Sequence, residues 1–129
     1  MCGKAFVRKG TRHSCVVVPL SAHFAARPRA EELFQRLETA IREVGGPFRL
    51  SIAKTRIGLV NGITFAAVMP RKDHIRFHFV LKRRIDSGRI LRVDHYEPWF
   101  VHTLKLRTPE DLDEELLGWL GESYQLGLR

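Results

Sequence analysis

Cysteine is scarce in this chain: Cys2 and Cys15 are the only two among 129 residues. Two thiols do not make a disulfide framework, which excludes the small secreted scaffolds held by several bridges. No apolar run approaches the ~18–20 residues that a bilayer-spanning helix needs. The basic N-terminus lacks an apolar h-region and a small-residue cleavage site, so no signal peptide is read and a cytoplasmic location is expected. Catalytic signatures are missing as well. There is no phosphate-cradling glycine loop, no GxGxxG and no Ser-His-Asp spacing. The basic strands lack the Asp/Glu cluster of a magnesium-dependent nuclease. These absences favour a binding module over an enzyme. Internal repeats and low-complexity segments are also lacking, and the length suits one domain with one core.

What is present is positive charge, unevenly spread. The net charge is +8, with a pI near 10.2. Residues 1–29 carry Lys4, Arg8, Lys9, Arg12, Arg27 and Arg29 and no acid. Residues 49–92 carry eleven Lys/Arg against Asp73 and Asp86, whereas the stretch from Thr108 carries six acids and only Arg129. A field this lopsided favours polyanions, nucleic acid among them. It also serves plain solubility.

Hydrophobic periodicity predicts a helix over Pro28–Val44. Pro28 suits the first turn, Glu31 and Glu32 face the positive helix end, and Leu33, Phe34, Leu37, Ile41 and Val44 form one stripe. Gly45-Gly46-Pro47 stops it, and SAHFAA before it reads as a preliminary turn. The chain then changes to period two. Phe48, Leu50 and Ile52 alternate with polar or small residues; Asn61-Gly62 signals a two-residue hairpin between Ile57-Leu59 and Ile63–Met69. In HIRFHFVLK, Ile75, Phe77, Phe79 and Leu81 face one way, and His74, Arg76, His78 and Lys82 the other. A weak strand is expected over Arg89–Asp94 and another over Trp99–Arg107. A last helix should start at Thr108-Pro109, with Leu112, Leu116, Trp119, Leu120 and Tyr124 inward. The expected fold is α+β: an antiparallel meander with an N-terminal and a C-terminal helix packed on one face. Residues 1–20 read as a basic Cys/His lead segment and 21–129 as the domain.

Cys2, His13 and Cys15 are the candidate metal ligands. A closed structural zinc site needs four. The fourth would come from His23, a water or a second chain; otherwise the thiols are a terminal Cys and a small buried hydrophobe. No cofactor is otherwise indicated. The Cys2-Gly3-Lys4-Ala5-Phe6 step resembles the knuckle of a zinc finger, in which Gly permits the tight turn around the metal. The partner Cys, two residues before the knuckle Cys, would precede Met1.

Two further groups stand out. Lys54 is in phase with Phe48, Leu50 and Ile52, so it either snorkels to water at a strand end or anchors an anion beside Arg56. His102 shares a face with Leu104 and Leu106; it is either a core histidine bonded to backbone or a ligand contact facing Lys54. Arg71, Lys72, Arg76, His78, Lys82, Arg83 and Arg84 form the row best suited to nucleic acid, or else an ordinary solvated face. It lacks outward aromatics for stacking, so contact would be with the phosphate backbone. His74 and His78 lie ~13 Å apart along a strand, too far for one metal.

The stretches HFAARPRAEELF, AKTRIGLVNGITFAAVMPRKD and VHTLKLRTPEDLDEELLGWLGESYQLG together resemble a bacterial family of unknown function. The landmarks are Lys54–Ile57, Phe65-Ala66, Val101-His102 with Leu104 and Leu106, and Asp111–Asp113 with Leu116, Trp119-Leu120 and Tyr124. The resemblance implies the helix–sheet–helix order and a short Cys/His-rich lead; similar domains are appended to predicted nucleases or occur in proteins labelled as transport-related. The combined expectation is a non-catalytic module that contacts nucleic acid through a basic sheet face. The alternative is a small anionic-ligand domain with a pocket near Lys54 and His102. Trp99-Phe100, if exposed, would serve a homodimer or another protein. No membrane partner is expected.

Overall fold

The computed structural model describes residues 19–127. Cys2, His13 and Cys15, and with them the zinc expectation, lie outside the described residues. The elements run α1 (Leu20–His23), α2 (Pro28–Val44), β1 (Arg49–Ile52), β2 (Ile57–Asn61), β3 (Ile63–Pro70), β4 (Ile75–Leu81), β5 (Arg92–Tyr96), β6 (Trp99–Leu106), a 3₁₀ turn at Pro109–Asp111 and α3 (Glu114–Leu126). All strands pair antiparallel in one sheet of order β1-β2-β3-β4-β6-β5. The sheet is thus a meander as far as β4. The next strand, β5, lies beyond β6 at the far edge.

Both long helices cover the same sheet face. Helix α2 has the expected bounds and buries Ala30, Leu33, Phe34, Leu37 and Ile41; Val44, at the end of the stripe, is exposed. Opposite them stand Ile57 and Leu59 of β2, Phe65 and Val68 of β3, Ile75, Phe77, Phe79 and Leu81 of β4, and Leu104 and Leu106 of β6, all at 1% exposure or less. Strand β4 alternates between buried and half-buried without a break, the pattern of a sheet with one covered face. Gly62, at φ +81°, closes the Asn61-Gly62 hairpin. A bulge follows: Leu59 pairs with Ala66 but Val60 with Thr64, leaving Phe65 as the extra residue. Phe65 turns inward and meets Phe48 and Tyr124 edge-on, at 5.9 and 5.5 Å.

The Gly-Gly-Pro stop of α2 also seats Tyr124. A Cβ at Gly45 would lie 2.5 Å from the Tyr124 ring, whose hydroxyl donates to the Pro47 carbonyl at 2.6 Å. The last helix starts later than the sequence suggests. Thr108-Pro109 opens only the 3₁₀ turn, and α3 begins after Asp113, whose carboxylate accepts the Leu116 N–H at 3.0 Å. The break is held by Arg89 in the β4–β5 connection. Its Nη1 donates to Asp113 at 2.9 Å and Glu115 at 3.1 Å, and its Nη2 to the Asp111 carbonyl at 2.8 Å. These charge-assisted bonds fix the loop to the start of the helix.

Candidate functional site

The sheet face turned away from the helices is uncovered by any described element. Cross-strand register lines up one row across all six strands: Ser51, Gly58, Ala67, His78, Thr103 and Arg92. The β1–β3 side of this row carries only small side chains, whereas β4 and β5 carry the larger His78 and Arg92 on either side of Thr103. The result is a hollow of about 440 Å³, within the range usual for small-molecule sites. Ser51, Ala53, Gly58, Thr64 and Ala67 form its shallow side. Val80 and Val101, paired in the next row, give an apolar stretch, and Arg56, His78, Asp94 and Tyr96 bring polar groups to it.

Charge is graded along the strands. One row beyond His78, Arg76 of β4 pairs with Lys105 of β6, and Arg56 precedes β2 at the same end. One row the other way, Asp94 of β5 pairs with Val101, and Tyr96 follows beside Trp99. Asp94 accepts from Arg92 Nε at 2.9 Å.

His78 is half-buried in the middle. Its Nδ1 lies 2.8 Å from Thr103 Oγ1, and Thr103 is itself buried. Burial pushes the His78 imidazole below its ordinary pKa. Arg76 and Arg56 add to the effect and Asp94 opposes it. The ring is therefore neutral near pH 7. With Nδ1 engaged by the threonine hydroxyl, Nε2 has no partner among the described residues and can serve the hollow as a neutral donor or acceptor.

The structure sorts the expected site residues into several places. Arg56, Arg76 and His78 come together on the open face. Lys54 does not join a strand: β1 ends at Ile52, Ala53 N–H donates to the Arg56 carbonyl across a turn, and Lys54 is exposed there. His102 is fully buried on the opposite, helix-covered face. Its Nε2 accepts the Ile85 N–H at 2.9 Å, and the ring stacks on Phe79 with centroids 5.0 Å apart. The Nδ1 has no hydrogen-bond partner of ordinary geometry, although the Phe79 and Phe100 carbonyls lie near enough to favour a proton there. The structure does not bring Lys54 and His102 together, because the strand phase that seemed to align them is lost at the β1–β2 turn. His102 is thus the backbone-bonded core histidine.

The basic row divides too. Arg71 and Lys72 are exposed in the β3–β4 turn. Lys82 lies over Trp99 at 5.6 Å. Arg83 turns to the helix side, where its Nε and Nη2 donate to Glu122 at 3.0 and 2.8 Å in a fork. Arg84 is exposed in the loop beyond. Trp99 and Phe100 are half-buried, and His95 stacks on Phe100 at 4.3 Å. The suggested fourth metal ligand, His23, is buried with Nε2 2.7 Å from the Ala53 carbonyl, to which it donates.

Sequence reasoning missed Ser51, Thr64, Asp94, Tyr96 and Thr103. Their signal is only outward strand phase, and it becomes a site only once the register is known. Among the described residues no group of His, Cys, Asp and Glu is placed to hold a metal ion, and no helix is long and apolar enough to cross a membrane.

No curated protein and no solved structure matches the chain. A family model described as "Domain of unknown function (DUF5655)" matches residues 20–127, and the chain belongs to that family.

Proposed function

We propose that this domain is a non-catalytic module that binds a small anionic molecule in the hollow of the open sheet face. The observation that carries this reading is that Arg56 and a Thr103-braced His78 line one hollow whose floor is kept open by small side chains. Arg56 supplies a fork of donors for a phosphate or carboxylate. His78 contributes a hydrogen bond without the desolvation cost of a second buried charge. Arg76 and Arg92, close enough to depress the His78 pKa, raise the local anion concentration.

A second reading is a nucleic-acid backbone crossing the same face, as its cations continue to Arg71 and Lys72 in the exposed β3–β4 turn. Calorimetric titration with ribose 5-phosphate and with a short DNA duplex separates the two. The first reading expects saturable binding of ribose 5-phosphate, weakened at least 30-fold by Arg56→Glu. Ser51→Trp, an exposed edge-strand change that fills the hollow, should also abolish it. Both variants should keep the wild-type melting temperature, since both sites are exposed. Duplex binding that falls steeply with salt and is lost in Arg71→Glu/Lys72→Glu, with no response to the sugar phosphate, would favour the second reading.

A further inference from the structure

We infer that the anion belongs to the nucleoside monophosphate class, with its phosphate at the Arg56 end and its base at the Tyr96 end. This inference rests on the hollow being the anion site.

The layout of the hollow carries it. Arg56 and Arg76 stand at one end of the face and Tyr96 at the other, six residues further along the strand direction by register with β4 and β6. That is roughly 20 Å along the strands and, over the four strand spacings from β2 to β5, roughly 19 Å across them, or roughly 28 Å between the Arg56 and Tyr96 backbones before the arginine and tyrosine arms fold inward. Inorganic phosphate or a bare sugar phosphate is too short to use both ends. Between them lie Val80 and Val101, an apolar bed that suits a flat ring and gives nothing to a second charged group. Tyr96 lines the hollow and is 62% exposed, one of only three large apolar side chains exposed among the described residues. An accessible aromatic at the rim of a basic hollow is a stacking surface, and one base on one ring is worth about 1–3 kcal/mol.

Asp94 sets the polarity. Its carboxylate sits at the Tyr96 end, where it accepts from Arg92 Nε at 2.9 Å and keeps lone pairs for the N–H groups of a base. Arg56 and Arg76 make no ion pair among the described residues, so the phosphate is placed at their end.

The test is calorimetric titration of the full chain with AMP, GMP and ribose 5-phosphate. The tighter of the two nucleotides should bind at least tenfold more strongly than the sugar phosphate. Tyr96→Ala should bring it down to the sugar-phosphate level, and Tyr96→Phe should restore the margin. Nucleotides no tighter than ribose 5-phosphate would overturn this inference and leave the anion site standing. An unchanged margin in Tyr96→Ala would overturn the ring placement. No binding of any of the three would overturn both the inference and the reading beneath it.

Discussion

Phe79→Ala is expected to remove about 3–5 kcal/mol of unfolding free energy, the usual loss when a fully buried phenylalanine is truncated. Phe79 sits at the centre of β4 with no exposed surface. Its ring stacks on His102 at 5.0 Å and on Trp119 of α3 at 6.0 Å, and it contacts Phe77 at 6.0 Å. It therefore joins three elements: β4, its neighbour β6, and the helix that closes the domain. A cavity there cannot be filled by moving one side chain, because the surrounding rings are held by separate elements. With a total stability of about 5–15 kcal/mol for an ordinary domain, the variant would keep little margin. Urea denaturation followed by far-UV circular dichroism measures the loss. A loss under 1 kcal/mol would mean that α3 does not pack where Phe79 places it.

His102→Leu is the second large effect, and it has a pH signature. The change leaves the buried Ile85 N–H without its acceptor, which costs about 1–3 kcal/mol at pH 7.5. The acid limb should change as well. Burial holds the His102 pKa below its ordinary value, while the Phe79 and Phe100 carbonyls pull it up and Arg83 and Arg84 push it further down. Glu122 is also near enough for the imidazole to lower its pKa. In the unfolded chain the imidazole takes up its proton near pH 6.5, whereas in the folded chain it does so only at lower pH. Between those values the unfolded state binds more protons, so stability falls as pH falls, by at most about 1.4 kcal/mol per pH unit for one group. His78, held down in the same way, contributes in the same window. Asp113 and Glu122, whose pKa values are lowered by hydrogen bonds, act only at more acid pH. Wild type should therefore lose stability between pH 7 and 5, and His102→Leu should lose less over that interval. Equal slopes in the two proteins would show that His102 titrates in the folded state as it does in the unfolded one.

Elements governed by local chemistry were legible in the sequence. Pro28 and the Gly45-Gly46-Pro47 stop bounded α2 to the residue, strict alternation revealed β4, and Asn61-Gly62 revealed the hairpin. The start of α3 was not legible. Thr108-Pro109 and Asp113 both carry start signals, and the choice between them rests on Arg89, which arrives from more than twenty residues away. Strand order had no local marker either, since β4 pairs with β6 across the whole β5 excursion. The candidate site was half legible. Arg76 and His78 carry an outward phase that can be read from the chain, and Arg56 a charge. Gly58, Ala67 and Ser51 carry only the absence of bulk, which means nothing until register sets them side by side. Lys54 was misplaced for the complementary reason: the period-two pattern runs past Ile52, but the backbone turns there.

The central claim is that the open face, at the His78 row, is the binding surface. Backbone amide chemical-shift mapping on the labelled full chain, titrated with ribose 5-phosphate, tests it most directly. The account predicts saturating shifts at Arg56, Gly58, Ala67, His78 and Thr103, with the helix α2 amides unmoved. Shifts confined to the Arg71-Lys72 turn or to the helix-covered side around His102, or no shifts at millimolar ligand, would contradict it.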